Sequence, residues 1–208
     1  MGRMKRDTRL GLRNMTKGLQ PVARLLKLGY LLRDENGKLL DARSSVTLII
    51  AGSVKIMVDT GLTGEEVLIQ DRLAQFQIKP EDVDLVVNTH SHPDHCGNNH
   101  LFKKAQILSK DDSDLKEGEA IAPGVWIMET PGHSFDSISV VCESTYRVVM
   151  AGDALPIIGN YLKWVPPGRH VDRKKAMESM SRIVELAEIV VPGHDKPFLV
   201  SKKRYTDL

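Results

Sequence analysis

A single-domain mixed α/β fold is predicted by three features of the chain. Short runs of β-branched and aliphatic residues recur between turn formers, two stretches carry apolar residues at helical spacing, and 208 residues suffice for one sizeable core. With 41% apolar and 27% charged residues the composition is that of a soluble globular protein, and no run nears the ~18 apolar residues that would cross a bilayer. No membrane partner is therefore expected. Residues 1–20 form a basic arm (Arg3, Lys5, Arg6, Arg9, Arg13, Lys17 against Asp7) without the apolar stretch of an export signal, and 21–208 form the domain. A net charge of +2 supplies no global field for nucleic acid. Cys96 and Cys142 make no disulfide framework, so a cytoplasmic location is expected. Cys142 reads as a small core residue, and Cys96 as a small residue under the loop that follows His95, although a thiol there could also reach a metal or oxidise.

The elements follow in order. The apolar run 25–32 reaches the turn Asp34-Glu35-Asn36-Gly37, where Asn-Gly is a strong hairpin signal, so a β-hairpin opens the fold. Residues 46–50 and 54–58 are β-branched strands around the turn Ala51-Gly52-Ser53, and the second ends on Asp59-Thr60-Gly61. From Gly64 to Phe76, Val67, Leu68, Leu73 and Phe76 fall at helical spacing, with Glu65 and Glu66 in the first turn, where the macrodipole favours them. Leu85-Val86-Val87 is the next strand. Further strands are expected at 105–109, 125–129, 138–142 and 146–151. A helix over 172–187 places Ala176, Met177, Met180, Ile183, Val184 and Ala187 on one face, and 189–191 is a last short strand.

Directly after the strand at 85–87, His90-Ser91-His92-Pro93-Asp94-His95 packs three imidazoles and a carboxylate into six residues. At this chain's His and Asp frequencies such a pattern arises by chance about once in two thousand tries. Imidazole and carboxylate are first-choice ligands for zinc and its borderline-soft relatives. Two more histidines end strand-like runs in Pro-Gly-His, at Pro131-Gly132-His133 and Pro192-Gly193-His194, and Asp153 follows Gly152 at another strand end. A glycine there permits close approach of backbone to a ligand. Together these supply enough ligands for two ions.

The ordered series Asp59-Thr60-Gly61, His90-x-His92-x-Asp94-His95, His133, Asp153 and His194 resembles the metallo-β-lactamase-fold hydrolases, over Val46 to Phe198. That resemblance implies a four-layer αβ/βα sandwich with the site along one edge of two sheets. It also implies two divalent metal ions, zinc foremost with Fe or Mn also suited. By it His90, His92 and His133 hold the first, Asp94, His95 and His194 hold the second, Asp153 bridges them, and Asp59 orients a ligand without binding metal. A narrower resemblance is to the small single-domain group of metallo-β-lactamase-domain-containing protein 1. It is carried by Leu85-Val86-Val87-Asn88-Thr89-His90 with Gly97-Asn98 and Leu101-Phe102, by Trp126 before Thr130-Pro131-Gly132-His133, and by Val190-Val191-Pro192-Gly193-His194 with Pro197-Phe198. Members of that group are linked to RNA endonuclease activity.

Two ions ~3.5–4 Å apart would share a bridging hydroxide at neutral pH, the nucleophile for a carbonyl or phosphoryl centre, with Asp94 as the catalytic residue that manages its proton. His92 stands where the diiron relatives carry glutamate, which favours hydrolysis over redox chemistry. The short stretch after His194 lacks room for the helical substrate domain of the hydroxyacylglutathione hydrolases. The interval from Asp153 to His194 likewise lacks the second domain of the long RNA-processing nucleases. Substrate contacts are expected from the loop 155–171, where Tyr161, Lys163, Trp164 and Arg169 would stack a base and meet phosphate, or bind an acyl group and a carboxylate. The expected substrate is a small-molecule ester-type compound or single-stranded RNA, with a slight lean to RNA phosphodiester cleavage. The alternatives are a thioesterase or lactonase with incidental β-lactamase activity, and a catalytically idle metal-binding protein. His100 and His170 are expected outside the ligand set, and a homodimer is compatible with the sequence.

Overall fold

The computed structural model describes residues 20–111 and 115–201, so the basic arm, apart from Gln20, lies outside the described residues. In chain order the first strands are β1 (Val22–Lys27), β2 (Tyr30–Arg33), β3 (Leu39–Arg43), β4 (Val46–Ala51), β5 (Val54–Val58), β6 (Leu85–Val87) and β7 (Gln106–Leu108). The later ones are β8 (Ala120–Ala122), β9 (Val125–Glu129), β10 (Ile138–Glu143), β11 (Arg147–Gly152), β12 (Ile189–Pro192) and β13 (Phe198–Leu199). Helices are α1 (Glu66–Ala74), the single turn α2 (Pro93–Cys96), α3 (Ile158–Lys163) and α4 (Arg173–Leu186).

A five-stranded sheet has the order β1-β4-β5-β6-β7, a six-stranded sheet the order β13-β12-β11-β10-β9-β8, and β2 and β3 form a separate two-stranded sheet. Period-2 alternation sorts side chains to the two faces of each large sheet. On β4, Ile49 and Ala51 join Ile56, Val58, Ile127, Val140 and Met150 in the layer between the sheets. Val46 and Leu48 instead meet Met57, Val86 and the α1 residues Ile69 and Leu73 on the outer face of the first sheet. On the second sheet Val141, Val149 and Val190 turn outward to Met180, Ile183 and Val184 of α4. Both faces of both sheets are thus covered, and the layers run helix, sheet, sheet, helix, as expected for the αβ/βα sandwich. Asp172 caps α4 by accepting from the Lys175 backbone N–H at 3.0 Å, satisfying one of the donors a helix start leaves unpaired.

Three local expectations change. The run 25–32 is not one strand: it breaks at Leu28-Gly29, β1 joins the first sheet, and the hairpin is made by β2 and β3. A Cβ at Gly29 would collide with the Gly193 carbonyl, so the chain crosses backbone against backbone there. On α1 the buried face is Ile69 and Leu73, whereas Val67 is 72% exposed and Phe76 39%. Finally, β8, β13 and α3 are additional elements, each too short to carry a full period of hydrophobic pattern. No helix among the described residues is long and apolar enough to cross a membrane.

The α1 correction is directly testable. Ile69→Ala should cost about 2–5 kcal/mol in urea unfolding and Val67→Ala no more than about 0.5; equal losses would mean the helix face is misassigned.

Candidate metal centre

β5 runs parallel to β6, and β11 runs parallel to β12, while β9 reaches β11 through two antiparallel steps. The carboxyl ends of β5 and β6 in one sheet, and of β9, β11 and β12 in the other, therefore point one way within their sheet. Hydrogen bonds from Ile138 N to Thr89 O (2.8 Å) and from Ser45 N to Gly193 O (2.6 Å) join the two sheets at this edge. Asp59 follows β5, His90 lies just beyond β6, His133 beyond β9, Asp153 after β11 and His194 after β12. His92 precedes α2, whose first proline fixes the turn, and α2 itself presents Asp94 and His95.

The ligating atoms fall into two groups, His90, His92, His133 and Asp153 in one and Asp94, His95 and His194 in the other, each within 4.8 Å. In the first, His90 Nε2 lies 2.8 Å from His92 Nδ1, which lies 3.1 Å from His133 Nε2. Asp153 faces both groups, with Oδ2 3.4 Å from His133 Nε2 and Oδ1 3.1 Å from His194 Nε2 and 3.5 Å from His95 Nε2. Asp94 Oδ2 lies 3.5 Å from His194 Nε2 and 3.9 Å from His95 Nε2.

The opposite ring nitrogens are occupied. His133 Nδ1–H donates to the Arg169 carbonyl at 2.7 Å, and His194 Nδ1–H to the Arg43 carbonyl at 2.9 Å. His95 Nδ1–H donates to Asp59 Oδ2 at 2.7 Å. That carboxylate also accepts from the Thr89 backbone N–H (2.8 Å) and from Thr89 Oγ1–H (2.9 Å). Asp59 holds φ 58, a left-handed conformation that costs a non-glycine residue ~1–2 kcal/mol and that these bonds offset. Each of these three rings is thereby locked with its Nε2 turned inward, as a metal-ligating histidine requires.

Electrostatics separate the two groups. Burial, reinforced by the charge on His95, drives the His90 pKa far down, and burial with His133 and Arg169 lowers that of His92. Burial opposes protonation of His95 too, but Asp59 and Asp153 overcome it and hold its pKa well above the ordinary value. His194 is likewise raised, because Asp153 outweighs burial. Asp153 itself lies well below the carboxylate range, since His194 and His95 outweigh its burial.

This donor set fits divalent cations. Asp153 Oδ1 is buried without a hydrogen-bond partner, and the inward His133 Nε2, its ring N–H used on the Arg169 carbonyl, stands 3.1 Å from His92 Nδ1. Such an arrangement is costly unless positive charge lies between the groups. The residues His90, His92 and His133 would hold one ion and Asp94, His95 and His194 another, with Asp153 between them.

A half-open cleft of about 190 Å³ leads to these ligands, walled by Leu31, Leu39 and Ala42 of the hairpin and by Pro156 and Pro167, with Arg33 and Arg169 at its sides. Of the four side chains expected on substrate, Arg169 alone borders it. Tyr161 is a correction: it is buried, stacks on Phe198 at 5.2 Å and exchanges hydrogen bonds with the Ser201 backbone, because α3 turns that face onto the outer core layer. Lys163 and Trp164, at the end of α3, do not line the cleft either. His100 and His170 are outside both ligand groups, near Glu66 and the Pro167 carbonyl respectively. Cys96 Sγ donates to the His92 carbonyl at 3.3 Å and is not among the converging ligands, while burial pushes the Cys142 thiol up to about 11. Sequence reasoning missed the hairpin wall and the Arg43 carbonyl. The Asn-Gly turn announced the hairpin, but nothing in it announced where the hairpin would lie.

Two outcomes follow. Asp59→Asn should weaken binding to the Asp94, His95 and His194 group about 10–100-fold, read by metal titration, because the His95 ring loses its charged partner. On acidification from about pH 7 to about pH 4, protons should claim His95 and His194 first. Their raised pKa values make that group release its ion at higher pH than the group containing His90 and His92, whose lowered values keep those rings neutral. Metal content after dialysis should fall in two steps, and simultaneous loss of both ions would contradict the assignment.

Comparison with known proteins agrees with this geometry. The model of the metallo-beta-lactamase superfamily matches residues 41–110. A probable metallo-hydrolase of Methanocaldococcus jannaschii is 39% identical over 185 residues, covering 84% of this chain and 87% of the relative. Metallo-beta-lactamase domain-containing protein 1 of Xenopus laevis is 34% identical over 186 residues, covering 82% and 78%. Among solved structures, AiiA of B. thuringiensis with N-decanoyl-L-homoserine bound at its active site superposes with a TM-score of 0.67 at 21% identity, covering 85% of this chain and 93% of that one. The chain belongs to the metallo-beta-lactamase superfamily and is a metal-dependent hydrolase built around a His/Asp metal-binding cluster.

Proposed function

We propose that this protein hydrolyses a small ester-type substrate (an ester, lactone or thioester) that combines an apolar part with an anionic group. The observation that carries this reading is the cleft. Its lining holds no Phe, Tyr or Trp among the described residues, so a stacking platform for RNA bases is missing beside the ligands. Its volume of about 190 Å³ is below the ~300–1,000 Å³ of a drug-sized ligand site, which suits a small molecule better than a polymer strand. The wall of Leu31, Leu39 and Ala42 would take an acyl or alkyl part, and Arg33 and Arg169 would meet a carboxylate or phosphate.

Divalent ions at the two groups, zinc foremost on this donor set, supply Lewis acidity toward a carbonyl oxygen and a more acidic water. The chain's own contribution is positional. Asp94 lines the cleft beside His194 and is placed to accept a proton from water and return it to the leaving group. The hairpin wall limits solvent at the carbonyl. The AiiA structure, at 21% identity, supports a shared fold; its bound N-decanoyl-L-homoserine motivates including lactones in the substrate panel.

Zinc-loaded protein should be assayed on a carboxylate-bearing ester, a γ-lactone, an acyl thioester and single-stranded RNA. Ester-type turnover is expected, reduced about 10³-fold or more in His90→Ala and Asp153→Ala, a loss of roughly 4 kcal/mol of transition-state stabilisation. Preferential RNA cleavage, or turnover indifferent to both substitutions, would sink the proposal.

A further inference from the structure

At the root of the hairpin a line of polar side chains ends beneath the ligands, and hydrolysis as derived above leaves it without a role. Tyr30 Oη donates to Asp41 Oδ2 at 2.7 Å, and Arg43 Nε donates to both Asp41 oxygens at 3.0 and 3.1 Å. Arg43 Nη1 stands 3.9 Å from Glu65 Oε1. Glu65 Oε2 accepts from Lys27 Nζ at 2.6 Å and from the Leu62 backbone N–H at 2.8 Å. The Lys27 and Glu65 side chains are only 8% and 12% exposed.

Stability does not explain a pair so deeply placed. Desolvation of two charges typically cancels their attraction, and apolar residues of similar size often do as well or better. Burial indeed lowers the pKa of Lys27 against the pull of Glu65. The fold nevertheless makes room for the carboxylate, since a Cβ on Gly61, which holds φ +75, would collide with Glu65 Oε2.

Two segments that orient metal ligands meet at this carboxylate. Through Leu62 it grips the loop 59–65, whose Asp59 holds His95. Through Arg43 it faces the strand end whose carbonyl holds His194. Gly29, beside Tyr30, presses on the Gly193 carbonyl, so the hairpin root also abuts the backbone just before His194.

We propose that Glu65 is a positioning residue for the Asp94, His95 and His194 group: by joining the loop behind His95 to the strand end behind His194, it sets the spacing of the two imidazoles for their ion. This rests on the metal-centre reading and is independent of which ester is the substrate.

The test is a titration of the metal-free full chain with Co²⁺, followed by its visible absorption, with urea unfolding measured on the same proteins. With the second equivalent identified as the one that Asp59→Asn also weakens, Glu65→Gln should weaken it about 10–100-fold and leave the first within about 3-fold. The paired change Lys27→Met with Glu65→Met removes both buried charges and should fold at least as stably as the parent. Its second equivalent should still bind weakly, a result that a merely structural pair would not give. The proposal is overturned if the paired variant binds the second ion as the parent does, or if Glu65→Gln weakens both equivalents alike. Should Glu65→Gln fail to fold, the paired variant decides by itself. A parent chain that takes up no second equivalent would overturn the metal-centre reading as well, whereas two tight equivalents indifferent to residue 65 would overturn this inference alone.

Discussion

Asp153 is the point on which the site depends. A buried carboxylate set among His95, His133 and His194 is unfavourable in itself and favourable only with positive charge beside it, from imidazolium or from a cation. The fold brings it there by ending β11 on Gly152, where a Cβ would strike the Thr89 side chain, and by preceding His194 with Gly193, where a Cβ would strike Asp153 itself. Gly152 is therefore a condition for the two sheets to bring their ligand loops into contact, and Gly193 a condition for the neighbouring ends of β11 and β12 to bring Asp153 against His194. They make the same close approach that the Pro-Gly-His repeats suggest.

Around that carboxylate the protein fixes orientation before charge. His133 and His194 are held by backbone carbonyls and His95 by Asp59, itself pinned by Thr89 in a left-handed conformation. Backbone partners cannot rotate away, so the inward nitrogens are preorganised and little conformational entropy is left to lose on metal binding. The cost is borne by the cores on either side, which keep both sheets rigid behind the strand ends.

The separate β2–β3 sheet turns this centre into a cleft. Its register places Leu31 opposite Ala42 on the face that lines the cleft, while Tyr30 lies opposite Arg43 at the root. Arg43 thus serves two ends at once, with its side chain toward Asp41 and Glu65 and its carbonyl toward His194. Cleft wall and ligand geometry consequently share one short stretch of chain.

What the sequence determined by itself was whatever is encoded locally. The strands at 46–50, 54–58 and 125–129, the α4 helix and its buried face, and the His90–His95 turn all follow from residue spacing, because period and turn chemistry act within a few residues. The remaining donors, His133, Asp153 and His194, were legible as strand-end residues after glycine, and their grouping rested on resemblance. Only the tertiary structure decided which side chains meet across long separations: that Tyr161 faces the core, that Ile69 rather than Val67 is buried, and that Gly29 splits an apolar run. It likewise decided that Arg33, Arg43 and Glu65 belong to the site's surroundings. Those contacts depend on how two sheets and a hairpin are packed, and residue spacing along a strand carries no information about the surface packed against it.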